Sequence, residues 1–493
     1  MRFLDDEQRQ QIGYSFIIDN LELITPYGIK EKKNIKPYTI NQREKLIEEL
    51  NKLEEIIQLE KEKPQVINDI KYCFMKFKDI GTTVNRCLNG EILDEVELFE
   101  IKTFVLLTQE LIEKIRELNT SIKEFKLEPT LEVLDLLDPQ NRRLNAFYIY
   151  EEYSKTLRTI RDKKRELEKN IYATKDIEEI EELKELRLEI VVQESEEEFK
   201  VRKKLSSFIQ KHINHINHNV ENISQIDMLL AKGSLVKKYG GIKPDIVEKK
   251  ELLIEDAYNP EIVEVLNSKN AEFTPVSIML KNGTSIITGA NMGGKTITLK
   301  TITLNIFLVQ CGFFAFCKKI SMPIMDFIYF ISDDMQSISK GLSTFGAEII
   351  KLREVVEATK RGNGFIALDE FARGTNPKEG RYLVKSVALF LQKFKSITLI
   401  STHYDGVVQE GMEHYQVIGL KNIDFDSLKR KIDLNKTSSI GIIQKHMDYR
   451  LEKVINVDEA PKDALNISIL LGLDKEIVDI IKNFYNREEN NEE

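Results

Sequence analysis

In the first half of the chain, apolar residues return at three- and four-residue steps, as in Leu93, Val96, Leu98, Ile101, Val105 and Leu106. That spacing lines one face of a helix. It predicts long helices over Ile92–Lys126 and Asn141–Lys169. Glycine is absent from Glu91 to Lys232 and proline from Gln140 to Lys243, so the stretch lacks the residues on which tight turns depend. At about 1.5 Å per residue, each helix is several tens of ångströms long. After Gly233 the pattern changes. Short β-type runs appear at Ser285–Thr288, Phe365–Leu368 and Ile397–Ser401, with helical segments between them. Strands alternating with helices predict an α/β sheet with parallel strands. The change falls near Ala231–Pro244, a Gly- and Lys-rich stretch, and the residues after Tyr485 read as a polar tail.

Composition narrows the class. The 493 residues are 42% hydrophobic and 31% charged, which suits a globular chain of two to four domains rather than a disordered one. The longest nearly apolar run, Ile306–Cys317, is shorter than the roughly 20 residues that cross a bilayer. No membrane role is expected. The N-terminus MRFLDDEQRQQ lacks a signal-peptide pattern. Cys73, Cys87, Cys311 and Cys317 form no CxxC pair, so a disulfide or four-cysteine zinc framework is not expected and a cytoplasmic setting is. The last two lie in an apolar segment and read as core. A net charge of −9 argues against broad nonspecific affinity for nucleic acid.

The candidate chemistry lies in the second half. Gly289, Ala290, Asn291, Met292, Gly293, Gly294, Lys295 and Thr296 fit the phosphate-loop pattern G-x-x-x-x-G-K-[S/T]. A strand precedes it, and Thr296–Val309 reads as the helix that follows. Glycines let backbone N–H groups turn toward phosphates, and the helix N-terminus adds favourable charge. Lys295 is expected at the β/γ-phosphates of ATP and the Thr296 hydroxyl on Mg²⁺. Phe365-Ile-Ala-Leu-Asp-Glu370 is an apolar strand ending in two carboxylates. Asp369 suits Mg²⁺, and Glu370 suits polarising the attacking water. His403, after the strand Ile397–Ile400, can be placed near the γ-phosphate or be an ordinary polar residue. Ser343 and Thr344 end a hydroxyl-rich stretch where a helix begins, and either can cap it. His212, His215 and His218 recur every third residue and read as a polar stripe on a helix rather than a metal site. The acidic run Glu194–Glu198 reads as a solvated face.

Several segments, in order, resemble the MutS family of ABC-type ATPases. ITGANMGGKT is similar to the family's phosphate loop, SDDMQSISKGLSTFGAEI to its signature segment, LDEFARGTNP to its acidic strand and STHY to its switch. Upstream, Thr25-Pro-Tyr-Gly28, Pro37 and Arg43–Leu53 resemble the start of the family's helical core. Asp463–Val478 is similar to its C-terminal segment. The resemblance implies an α plus α/β fold: a helical core and lever domain with a reduced clamp over 1–235, an ABC-type ATPase domain over 236–440 and a C-terminal helical dimerisation segment over 441–493. It implies a dimer, with a copy or a paralogue as second subunit. Ser343 and Thr344 would act in trans on nucleotide held by the partner, His403 would sense the γ-phosphate, and Phe273 would stack on adenine.

The departures bear on the client. With the resemblance to the helical core starting near Thr25, the family's mismatch-reading and connector domains are not expected, and no Phe-x-Glu probe occurs in the sequence. The clamp shrinks to Ile171–Lys200, with 11 acidic and 4 basic residues, the wrong sign for DNA. Three readings follow. One is a dimeric MutS-like ATPase associated with DNA. Another is a protein-remodelling ATPase without a DNA clamp, resembling the ATPase subunit of reactivases for cobalamin-dependent aminomutases. The third is a nucleotide-dependent scaffold with slow turnover.

Overall fold

The structure is a computed structural model. It describes residues 3–144, 146–289, 294–332, 344–420, 446–454 and 463–489. The chain forms two compact units, one of residues 22–35 and 55–233, the other of 1–21, 36–54 and 234–493.

The first unit is helical. Its helices include Pro64–Phe74, Gly81–Leu88, Glu95–Leu118, Leu131–Leu137 and Lys155–Ala173, together with most of Ile177–Tyr239, a helix of 63 residues. Their apolar faces share one core that includes Phe74, Phe104, Val105, Ile209 and Ile213. Asp94 and Glu97 form a capping box that starts the helix Glu95–Leu118, and Asn119, in the left-handed region, ends it. The stretch Asn141–Lys169 is helical only from Lys155 onward. Asn141 and Arg143 both take positive φ, as turns require. Fully buried Lys102 fastens this irregular stretch by bonding Asp138 at 3.2 Å and the Ala146 carbonyl at 2.9 Å.

Residues 174–176 join Lys155–Ala173 to the long helix, and the two helices pair as an antiparallel hairpin. Arg161 bonds Glu194 at 2.9 Å and Glu198 at 2.7 Å; Lys164 bonds Glu194 at 2.5 Å; Arg187 meets Glu168. The acidic run is therefore only in part a solvated face: Glu196 is exposed, whereas Glu194 and Glu198 are held by Arg161. Glu194 is buried, and its carboxyl sits below the ordinary value: burial opposes ionisation, but Lys164 and Arg161 overcome it. Farther along, His212 faces Glu132, His215 bonds Glu128 and His218 contacts Asn222, so each histidine has its own neighbour.

The second unit holds two sheets. One contains β1 (Asp245–Ile246), β5 (Lys319–Met322), β2 (Glu251–Ala257) and β3 (Val276–Lys281), in that spatial order. The other runs β10 (Asp448–Lys453), β9 (Glu413–Gly419), β4 (Gly283–Thr288), β8 (Ile397–Ser401), β7 (Phe365–Asp369), β6 (Ile328–Ser332). Only β10 is antiparallel; the other five strands are parallel. β6, β7 and β8 are buried along their whole length, as parallel strands between helices are. The helix Gly294–Gln310 is buried on nearly all sides. Early residues are tied into this unit: Gln8 Nε2 donates to the Phe330 carbonyl, the backbones of Tyr38 and Gln310 bond at 2.7 Å, and Tyr14 packs edge-on against Phe307. All four cysteines are free and buried. Burial pushes Cys73 and Cys317 up to about 12 and Cys87 to about 11. Among the described residues no helix is long and apolar enough to cross a membrane, and no group of three or more His, Cys, Asp or Glu is placed to hold a metal ion.

Candidate functional site

The strand order sets the site. β8 lies between β4, which leads into Gly289, and β7, which ends in Asp369. Register aligns Ile287 with Ser401 and Ser401 with Asp369. Three strands thus end at one level, and the side chains just beyond them meet.

Ser401 stitches this edge together. Its Oγ donates to Asp369 Oδ1 at 2.5 Å and accepts from the Glu370 N–H at 3.1 Å. Asp369 also accepts from the Thr296 side chain. Burial nevertheless holds the Asp369 carboxyl above its ordinary value, with Glu370 adding to the rise against the Ser401 and Thr296 bonds. Lys295 is 2% exposed; its Nζ donates to the Gly289 carbonyl at 2.7 Å and lies 3.5 Å from Glu370. Burial lowers the Lys295 pKa, and Glu370 pulls the other way. The second Glu370 oxygen takes a 2.6 Å bond from Arg373. His403 stands close enough to feel Glu370, Lys295 and Arg373. Its pKa lies below the ordinary value through desolvation, reinforced by Lys295 and Arg373 and opposed by Glu370.

The turn after β7 is strained and braced. Glu370 and Ala372 have φ of 47° and 62°, a left-handed conformation costly for residues with a Cβ. Buried Glu348, from the helix Thr344–Arg361, accepts the Ala372 N–H at 2.9 Å, and Tyr404 Oη donates to the Ala372 carbonyl at 3.1 Å. These bonds hold the conformation that presents Glu370.

On the other side, β9 and β10 back the phosphate loop. A Cβ on Gly289, whose φ is +128°, would lie 3.1 Å from Val417, and one on Gly294 would lie 3.0 Å from the Tyr449 ring. Both positions therefore need glycine for close approach, and Gly289 for its backbone as well.

The structure brings Gly289, Gly294, Lys295, Thr296, Asp369, Glu370 and His403 to this one edge. Phe273 lies partly buried in the connection before β3 and has no ring partner among the described residues. Ala290, Asn291, Met292, Gly293 and Ser343 fall outside the described residues; Thr344 begins its helix, but its side chain is not described. Ser401, Arg373 and Tyr449 were not singled out from the sequence, and Glu348 is read there only as a residue one step beyond capping-box spacing from Thr344. Ser401 and Arg373 lie within recognised segments, whereas the Tyr449 contact spans 155 residues and leaves no local signal.

With this geometry in hand, the comparisons are specific. Residues 285–466 match the model of MutS domain V. The chain is 30% identical over 217 residues to an "Endonuclease MutS2" of Leuconostoc mesenteroides, covering 44% of this chain and 26% of that protein. It is 33% identical over 183 residues to an "Endonuclease MutS2" of Staphylococcus carnosus, covering 37% and 23%. It is 31% identical over 210 residues to a "DNA mismatch repair protein MutS" of Persephonella marina, covering 42% and 23%. The matches span about a quarter of each relative's length. The family model and these relatives fall on the unit that carries the site, and over that stretch the chain is similar to the MutS family.

Proposed function

We propose that the chain binds and hydrolyses ATP with Mg²⁺ as a dimeric, ABC-type MutS-family ATPase. The observation that carries this is the convergence of Lys295, Thr296, Asp369, Glu370 and His403 at the ends of β4, β7 and β8. In this reading ATP phosphates take Lys295 from the Gly289 carbonyl. Thr296 and Asp369 would hold Mg²⁺, whose charge would favour the ionised form of Asp369. Glu370, steered by Arg373, accepts a proton from the attacking water, and His403 contacts the γ-phosphate. Phe273 stacks on the base, and Ser343 and Thr344 reach nucleotide on the second subunit. The C-terminal helix Lys475–Glu489 leaves Ile477, Ile480 and Phe484 exposed at helical spacing, an unpartnered stripe suited to a second copy. The helical unit, residues 22–35 and 55–233, transmits the motion as a lever.

The family points to DNA as the client. A specific observation favours the alternative, a protein-remodelling ATPase such as an aminomutase reactivase. Residues 155–200, the hairpin arms flanking residues 174–176, carry 11 basic and 14 acidic residues, and Arg161, Lys164, Arg165 and Arg187 are already engaged with carboxylates. Binding DNA phosphates there would require breaking those pairs. Steady-state ATPase measured at low salt with homoduplex, mismatched and branched DNA decides between them. Stimulation that fades as salt rises assigns DNA. Turnover indifferent to every DNA assigns a protein client, and absence of ATP-dependent phosphate release overturns the ATPase reading itself.

A further inference from the structure

In the second unit, at the starts of β7 and β8, away from the site above, there is a cavity of about 190 Å³. Gly364 and Ile397 mark its place, at the opposite strand ends from Asp369 and Ser401. Five residues of β7 separate the two edges, roughly 17 Å at about 3.3 Å per residue. Its floor is apolar, with Val247, Pro323 and Ile324 among the lining residues. Three cations, Arg43, Lys250 and Lys395, one acid, Glu248, and the amide of Asn363 are its polar lining.

The cations define the cavity's chemistry. Some lysines elsewhere in this unit sit against carboxylates, as in Lys351–Asp5, Lys243–Glu54 and Lys453–Glu413. Among the described residues, none of the three has a carboxylate partner. Arg43 is oriented by the Ile246 carbonyl, which accepts from Nη2 at 3.1 Å. Its Nε is buried and without an acceptor. A buried, fixed guanidinium N–H left open costs free energy unless something accepts from it. The planar fork matches a carboxylate or phosphate. As for size, an apolar cavity of about 150 Å³ takes benzene.

We infer that this cavity binds a small amphiphilic anion: a single-ring-sized apolar body on the floor, with a carboxylate or phosphate head held by Arg43, Lys250 and Lys395. The inference does not depend on the nucleotide reading. Ligand-observed ¹⁹F NMR on the full chain tests it with 4-fluorobenzoate, 4-fluorophenyl phosphate and neutral 4-fluorobenzamide, each with and without saturating ADP. Both anions should bind saturably in the presence of ADP, and the amide about tenfold or more weaker. Whichever anion binds tighter identifies the head group. Arg43→Gln and Lys250→Gln should each weaken the anions about tenfold; Lys250 has no partner to lose, so its variant keeps the test valid if Arg43→Gln misfolds. Anion and amide binding alike, anions displaced by ADP, no binding, or Lys250→Gln binding as wild type would overturn the inference.

Discussion

Lys102 and Lys295, one in each unit, are almost completely buried, and each holds one carboxylate and one backbone carbonyl. Lys102 meets Asp138 at 3.2 Å and the Ala146 carbonyl at 2.9 Å, with Tyr150 Oη at 3.5 Å. Lys295 meets Glu370 at 3.5 Å and the Gly289 carbonyl at 2.7 Å. The difference lies in what surrounds each pair. The second oxygen of Asp138 takes the Arg143 N–H at 2.7 Å, so that pair is closed and ties an irregular stretch to a helix. Glu370 is shared with Arg373, His403 stands near, and the Lys295 pKa is lowered by burial. A closed pair holds structure, whereas a loose pair within a cluster of titratable groups can exchange partners.

The sharpest way to break this comparison is at the loose pair. Glu370→Gln should lower ATP turnover by about 10²–10⁴-fold while ATP still binds, read as phosphate release against equilibrium nucleotide binding. Turnover at the wild-type rate would remove Glu370 from the chemistry. Lys102→Ala should cost the helical unit about 3–5 kcal/mol in urea unfolding, because Asp138 is left buried and unpaired. The paired replacement Lys102→Met with Asp138→Leu should recover most of that loss. Lys295→Ala is the counter-test. Its stability should change by less than about 1 kcal/mol, because Glu370 keeps Arg373, while nucleotide affinity falls about tenfold or more. Equal destabilisation by both lysine variants would erase the distinction. The smallest effect concerns His414, which bonds Thr288 Oγ1 through Nε2 at 2.8 Å and whose pKa burial lowers from 6.5. A folded state that prefers neutral histidine loses stability as pH falls below that value. Melting temperature should therefore drop less steeply below about pH 6.5 in His414→Asn than in wild type.

Much of the candidate site was legible because its chemistry is local. The phosphate loop, the strand ending in Asp369 and Glu370, and the segment with Ser401 and His403 are each a few residues long. Apolar runs marked their strands as buried. What the sequence did not disclose depends on pairing across distance or on residues standing in for glycine. Asn141 and Arg143 make the turns that an absence of glycine seemed to exclude. Glu194 pairs with a helix more than thirty positions earlier. Tyr449 reaches Gly294 only because β9 pairs with β10 on one side and with the phosphate-loop strand β4 on the other.

The 63-residue helix imposes a rule on how its length can vary. Along it, Val201, Leu205, Ile209, Ile213, Ile216, Ile223, Ile226 and Leu230 are buried, at steps of three, four and seven. Adding one residue within that run turns everything beyond it by about 100° and carries the stripe out of the core. Removing seven shortens the helix by about 10 Å and turns it by only about 20°. Rotational phase and reach are thus locked together, and lengths seven residues apart are the ones that leave the packing face in place.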